Sequence, residues 1–176
     1  MKTLYIERST GESRSGDWVE KLDLQNVERI IVGTGPGSFA GIRSALAFAQ
    51  GYKLGKKCDV LGLPSACALA DGKPMAVIGD ARRGKFWVAL FDGWNLITDI
   101  FLADKDELAR RIPRGVTVTT PDAQRIDSIL KELFGEKYDG GKTPTAEGLE
   151  RFVANNPETL KSEPLPIYLS PAVRED

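Results

Sequence analysis

The run Arg29-Ile30-Ile31-Val32-Gly33-Thr34-Gly35-Pro36-Gly37-Ser38 limits what this chain can fold into more than any other stretch of it. Ile30, Ile31 and Val32 are consecutive β-branched residues and read as a strand buried on both faces. Gly33, Gly35 and Gly37 then alternate through a turn, and Ser38 stands where a helix N-cap belongs. A helix is predicted from Phe39 to Leu54, ended by Gly55 with Lys56 and Lys57 beyond it. Strand, glycine turn and helix in succession predict an α/β protein organised around this turn.

The turn admits three readings. It can cradle a phosphate at a helix N-terminus, although the Gly-Lys-Ser/Thr of a P-loop is absent. Gly35, Gly37 and Ala40 satisfy the loose dinucleotide spacing, but Pro36 removes an amide donor, and the acidic residue at the right distance, Asp59, precedes its strand. In the second reading the glycines only supply steric room and positive φ for a tight connection. The third comes from the helix. Gly41, Ala45 and Ala49 recur along one stripe, while Phe39, Ile42, Leu46 and Phe48 leave little of the circumference polar. A helix apolar nearly all round is buried on both sides or packs on another chain. Phe39, Gly41, Ile42, Ala45, Phe48, Ala49 and Tyr52 are therefore the predicted partner interface.

Around this unit, Leu4-Tyr5-Ile6 reads as a first strand, residues 8–17 as a turn, and Trp18-Val19 as the start of a return strand. Val60–Leu63 is a short strand and Pro64 opens a small helix through Leu69. Met75–Ile78, Phe86–Phe91 and Asn95–Thr98 read as an antiparallel meander, turning at residues 80–84 and at Asp92-Gly93. Asp104 caps a helix to Arg110. Val116–Thr119 is a strand, Pro121-Asp122 starts a helix to Phe134, and Thr145 starts a last helix to Val153. Pro164–Leu169 is extended and proline-ordered. The expected division is a first lobe over residues 1–92 and a smaller second lobe over 93–176.

Composition excludes several kinds of chemistry. The chain contains no histidine, which rules out Ser-His-Asp and Cys-His nucleophile systems and any imidazole-bearing zinc site. Its two cysteines, Cys58 and Cys67, are too few for a four-thiolate zinc site or a disulfide framework and read as buried thiols. A net charge of −1 supplies no global field for a polyanion. No signal peptide or membrane-length apolar run is recognisable, and a cytoplasmic location is expected. No metal site is expected.

Two motifs carry a family resemblance. Gly33-Thr34-Gly35-Pro36-Gly37-Ser38-Phe39-Ala40-Gly41-Ile42-Arg43, followed by Ala47-Phe48-Ala49-Gln50-Gly51, resembles the glycine turn and Ala/Gly-rich helix of the TsaB (YeaZ) family. Val77-Ile78-Gly79-Asp80-Ala81-Arg82-Arg83-Gly84-Lys85-Phe86-Trp87 resembles that family's strand, Asp-Ala-Arg-Arg turn and strand. Pro166-Ile167-Tyr168-Leu169 resembles its C-terminal motif more weakly. The resemblance implies an actin-like, ribonuclease H-like ATPase (ASKHA) fold with mixed sheets and two small lobes, the second reduced. It implies a non-catalytic subunit that supports a TsaD-like catalytic partner, together with a TsaE-like ATPase, in threonylcarbamoylation of adenosine in ANN-decoding tRNAs. tRNA would then be met only indirectly, a homodimer is open to the chain, and no cofactor is expected, ATP binding being weak at most.

The chain departs from the family pattern at its start. Glu7-Arg8-Ser9-Thr10 stands where members carry Asp-Thr-Ser/Ala after the first strand. Residues 20–28 are too few for the strand and helix that members place before the glycine turn. Glu7 itself reads as an exposed strand residue, or as a remnant of an acidic nucleotide-site position. Arg43, Arg82 and Arg83 are the candidate basic contacts, and Gly33, Gly35, Pro36, Gly37 and Ser38 form the candidate turn site. Two rival functions stay open from the residues: a nucleotide-binding, small-molecule kinase-like enzyme of the same superfamily, and a structural homodimer that has lost the tRNA role.

Overall fold

The computed structural model describes residues 1–10, 16–160 and 163–169. Its contacts divide the chain into two units, one of Met1–Ala68 with Pro144–Ile167, the other built on Leu69–Thr143. The break therefore falls after Ala68, not after residue 92, and the chain returns to the first unit at Pro144. Strand pairing is the reason: the hairpin from Met75 to Asp92 is hydrogen-bonded into the second sheet and cannot belong to the first unit.

The first unit is a parallel sheet of β1 (Lys2–Ile6), β2 (Val27–Gly33) and β3 (Asp59–Leu63), in that spatial order. β2 is central, and Ile30, Ile31 and Val32 are all fully buried, as a continuous apolar run in a parallel sheet requires. Helix α1 (Phe39–Gly55) joins β2 to β3 and lies on the face carrying Leu4, Ile6, Ile30, Val32 and Val60. Strand alternation turns Tyr5 the other way, where its hydroxyl feels the charge of Glu150 on α4 (Ala146–Asn155).

The expected return strand at Trp18 is instead a 3-10 helix over Gly16–Lys21. β1 and β2 run parallel, so the chain between them must cross over rather than turn back. Trp18 and Leu22 use that crossover to pack against the α1 core. α1 itself continues through Gly55, one residue further than expected, with Lys56 as its extended cap.

The second unit is a mixed sheet ordered β6 (Asn95–Leu96), β5 (Lys85–Asp92), β4 (Met75–Arg82), β8 (Thr117–Thr120), β9 (Tyr138–Gly141), with β7 (Phe101–Ala103) also paired to β5. The antiparallel meander is present as predicted. Helices α2 (Lys105–Arg111) and α3 (Ala123–Phe134) cover one face through Leu108, Ile126 and Leu130. Asp104 caps α2 with a full capping box to Glu107. β7 and β9 were not legible beforehand: the first is three residues long, and the second contains Gly140-Gly141, which reads as a turn.

Candidate functional site in the glycine turn and the first long helix

The glycine turn is held entirely by its own chain. Thr34 N and Thr34 Oγ1 both donate to Leu63 O, at 2.8 and 3.0 Å. Gly35 N donates to Ser65 Oγ at 2.9 Å and Ser65 N returns a bond to Gly35 O at 2.8 Å. Ser38 caps α1, its Oγ accepting from Gly41 N at 3.3 Å. Ser38 N donates to Ser9 O at 2.6 Å.

Three of the glycines are pressed against one segment, Glu7-Arg8-Ser9. A Cβ at Gly33 would strike the Glu7 carboxylate, one at Gly37 would strike the Ser9 carbonyl, and one at Gly41 would strike the Arg8 carbonyl. At Gly37 and Gly41 glycine allows close approach of backbone to backbone, and at Gly33 it leaves room for the Glu7 carboxyl. The turn itself offers little room for a phosphate. Two of the amides a phosphate would need, Gly35 N and Ser38 N, are already engaged, Pro36 has none, and the hollow is filled by residues 7–9. The steric-room reading of the glycines describes the turn.

Glu7 is not an exposed strand residue. Its Oε1 accepts from Ser9 N at 2.6 Å, and its Oε2 is sealed from solvent with no well-formed hydrogen bond among the described residues. Burial pushes the carboxyl above its ordinary value, outweighing the hydroxyls of Ser9 and Ser65 that favour the charged form. Burial also pushes the Cys67 thiol up, in keeping with the expected inert cysteines.

The predicted partner interface is corrected by burial. Gly41, Ile42, Ala45 and Ala49 all face inward, Ala45 and Ala49 with no exposed surface. This small-residue stripe lets α1 sit close on its own sheet. Phe48 and Tyr52 flank it under the 16–26 crossover. Trp18 meets Phe48 edge-on at 5.3 Å, and the Tyr52 hydroxyl donates to Leu24 O at 3.0 Å. Of the predicted set only Phe39 is substantially exposed, at 46%. The open face of α1 is a different stripe: Ala40, Arg43, Ser44, Ala47, Gln50, Gly51 and Leu54. Leu54 is 91% exposed. Arg43 stacks its guanidinium 4.9 Å from the Phe39 ring.

Arg82 and Arg83 lie at the tip of the β4–β5 hairpin, both in the left-handed region with φ of 70° and 52°. Such a backbone disfavours any side chain but glycine, asparagine or aspartate. Asp80 braces the tip: Oδ1 accepts from Arg82 N at 2.8 Å, and Oδ2 pairs with Arg125 Nε at 2.8 Å and with the Arg82 guanidinium at 3.6 Å. Asp122 completes the brace by accepting from Asp80 N at 2.9 Å. Asp122 and Arg125 were missed as site residues; the sequence marked Asp122 only as a helix start, and nothing local tied it to Asp80. Among the described residues no cluster of three metal-ligating side chains occurs.

The fold defines an actin-like (ASKHA) α/β protein with one parallel and one mixed sheet, where mixed sheets were expected in both. Two solved structures share the fold: YeaZ from Pseudomonas aeruginosa, with a TM-score of 0.71 at 19% identity, covering 95% of this chain and 99% of that one, and a protein described as similar to the peptidase YeaZ from the same organism, with a TM-score of 0.69 at 17% identity, covering 96% and 99%. The family model for TsaD, tRNA N6-adenosine threonylcarbamoyltransferase, matches residues 19–140, and the chain belongs to that family. Within it the similarity is to TsaB/YeaZ, as the glycine-turn motif implied. The Escherichia coli (strain K12) protein named tRNA threonylcarbamoyladenosine biosynthesis protein TsaB is 33% identical over 73 residues, 36% of this chain. That match spans 31% of the E. coli protein.

Proposed function

We propose that this chain serves tRNA threonylcarbamoyladenosine formation as a non-catalytic subunit that docks on a TsaD-like catalytic partner. The observation that carries the reading is the family match over residues 19–140, joined to an α1 whose outer face mixes small residues with Arg43, Gln50 and the exposed Leu54. Docking uses that outer face, with Leu54 and the Phe39–Arg43 stack as anchors, since aromatic and arginine side chains dominate binding energy at interfaces. The self-filled turn supports a chain that works without a nucleotide of its own. Arg82 and Arg83 offer a braced basic point to the tRNA held by the partner, a contact that salt weakens. No helix among the described residues is long and apolar enough to cross a membrane.

The test is titration calorimetry with the TsaD-like subunit of the same organism. The parent chain binds, and Ala47→Glu weakens binding by about 30-fold or more, because an unpaired charge must be desolvated at the contact. Absence of any complex at micromolar concentrations refutes the docking role. Self-association of the parent chain in light scattering, abolished by Ala47→Glu, favours the homodimer in its place.

A further inference from the structure

The Glu7 side chain ends in a buried place where hydrogen bonds, and no opposite charge among the described residues, meet the carboxyl. One oxygen has the Ser9 amide. The other is enclosed between the Gly33 backbone and Ser65, with no well-formed hydrogen bond among the described residues and no water access. The closeness is measured by the missing Gly33 side chain: a Cβ there would lie 2.6 Å from Glu7 Cδ and 2.8 Å from Ser65 Oγ. An ionised carboxylate left in such a site lacks both solvation and a counter-charge.

Among the described residues no neighbouring charge makes up the deficit. From the 3-10 turn Ser65–Leu69 the titratable group facing Glu7 is Cys67, a thiol that burial keeps neutral. The adjacent cation, Arg8, directs its guanidinium over the Trp18 ring at 4.5 Å. β2 presents only Gly33, and α1 approaches the same segment through Gly41 over the Arg8 carbonyl. No charged side chain among the described residues acts on Glu7; burial is the leading influence, and the hydrogen bonds from Ser9 and Ser65 only oppose it.

The same three residues seat the turn and the helix. Ser9 O accepts Ser38 N, immediately before α1, and Arg8 O lies under Gly41 in the first turn of α1. We propose that Glu7 is a proton-dependent latch: as a neutral acid it ties the end of β1 to the glycine turn and the start of α1, and on ionising it loosens both. The latch is a property of the isolated chain and stands whether or not the tRNA reading holds.

The direction of the effect follows from linkage. The folded state binds the Glu7 proton more tightly than the unfolded chain, whose carboxyl titrates near 4.5. Below that value both states are protonated and the latch is at full strength. Above it the unfolded chain releases the proton first. The folding constant then falls by up to about tenfold per pH unit until the folded-state carboxyl also ionises, and is flat beyond.

The experiment compares urea unfolding of the parent chain and Glu7→Gln across this window, with amide exchange at Ser9, Ser38 and Gly41 followed in parallel. Glutamine keeps the acceptor for Ser9 N and cannot ionise. The expected result is a declining stability in the parent, a flatter profile in Glu7→Gln, and, once the ordinary rise of exchange with pH is divided out, protection at the three amides that falls in the parent alone as pH rises. Parallel profiles in the two proteins overturn the latch. Should Glu7→Gln fail to fold, carbon-13 titration of the Glu7 carboxyl in the parent decides: a resonance still protonated well above 4.5 supports the proposal, and an ordinary glutamate titration overturns it.

Discussion

Replacing Ala45 by glutamate puts a carboxyl into the layer between α1 and its sheet, at a position with no exposed surface. Its neighbours in that layer are Ile6, Ile30, Val32, Ile42 and Ala49, none of which can pair with it. Holding the acid neutral at pH 7 costs about 1.4 kcal/mol for each unit above its ordinary pKa, or about 4 kcal/mol. Inserting the larger side chain into a packed layer adds about 1–3 kcal/mol. The total, about 5–7 kcal/mol, is comparable with the whole stability of a domain, about 5–15 kcal/mol. Ala45→Glu is therefore expected to melt about 10–25 °C below the parent or not to fold. Ala47→Glu, two residues on but exposed, is expected to change stability by no more than about 0.5 kcal/mol. Thermal denaturation followed by circular dichroism, with light scattering on the same samples, separates the two faces. If Ala45→Glu melts within about 3 °C of the parent while its mass in solution changes, the stripe faces a partner and the inward placement is wrong.

Two glycines of α1 should respond oppositely to alanine. Gly41→Ala drives a methyl into the Arg8 carbonyl and should lower the urea midpoint by the equivalent of about 1–3 kcal/mol, whereas Gly51→Ala, with nothing within 4 Å, should raise it by about 0.5–1 kcal/mol. In the second unit, burial and the Asp127 carboxylate push the Tyr138 phenol up to about 12. The unfolded chain loses that proton near 10, so stability should fall as pH rises from 10 to about 12. Tyr138→Phe should remove that part of the decline, and tyrosinate absorbance in the folded parent should show the late phenol.

Much of the architecture was legible because it rests on local rules. The β2 run is apolar without alternation, and only a strand covered on both faces tolerates that. Ser38 and Asp104 are caps by residue type, and both cap as expected. The meander was marked by turn residues at each end. Trp18-Val19 failed because it carries strand composition while its role is set by a distant aromatic, Phe48. β9 failed because its glycines suit a turn, and only pairing with β8 makes it a strand.

The site shows the same limit more sharply. α1 carries two small-residue stripes, one through Gly41, Ala45 and Ala49, the other through Ala40, Ala47 and Gly51. Composition and helical period treat them alike. Which one meets the sheet depends on how the helix is rotated when its first turn seats on Arg8 and Ser9, a contact about thirty residues away in sequence. Glu7 is invisible for the same reason: its chemistry comes from Gly33 and Ser65, brought to it by two parallel crossovers.

By itself the sequence determined that a buried strand, a glycine turn and an apolar helix follow one another, because backbone conformation and hydrophobic period act within a few residues. It also determined, through the motif in that turn, the family. Only the tertiary structure decided that the turn is pressed against Glu7–Ser9, that the Gly41–Ala49 stripe faces inward, and that Asp80 braces Arg82 at the hairpin tip with help from Asp122 and Arg125. Those outcomes depend on close approaches between segments far apart in the chain, where a single Cβ or a missing counter-charge decides, and no local pattern records them.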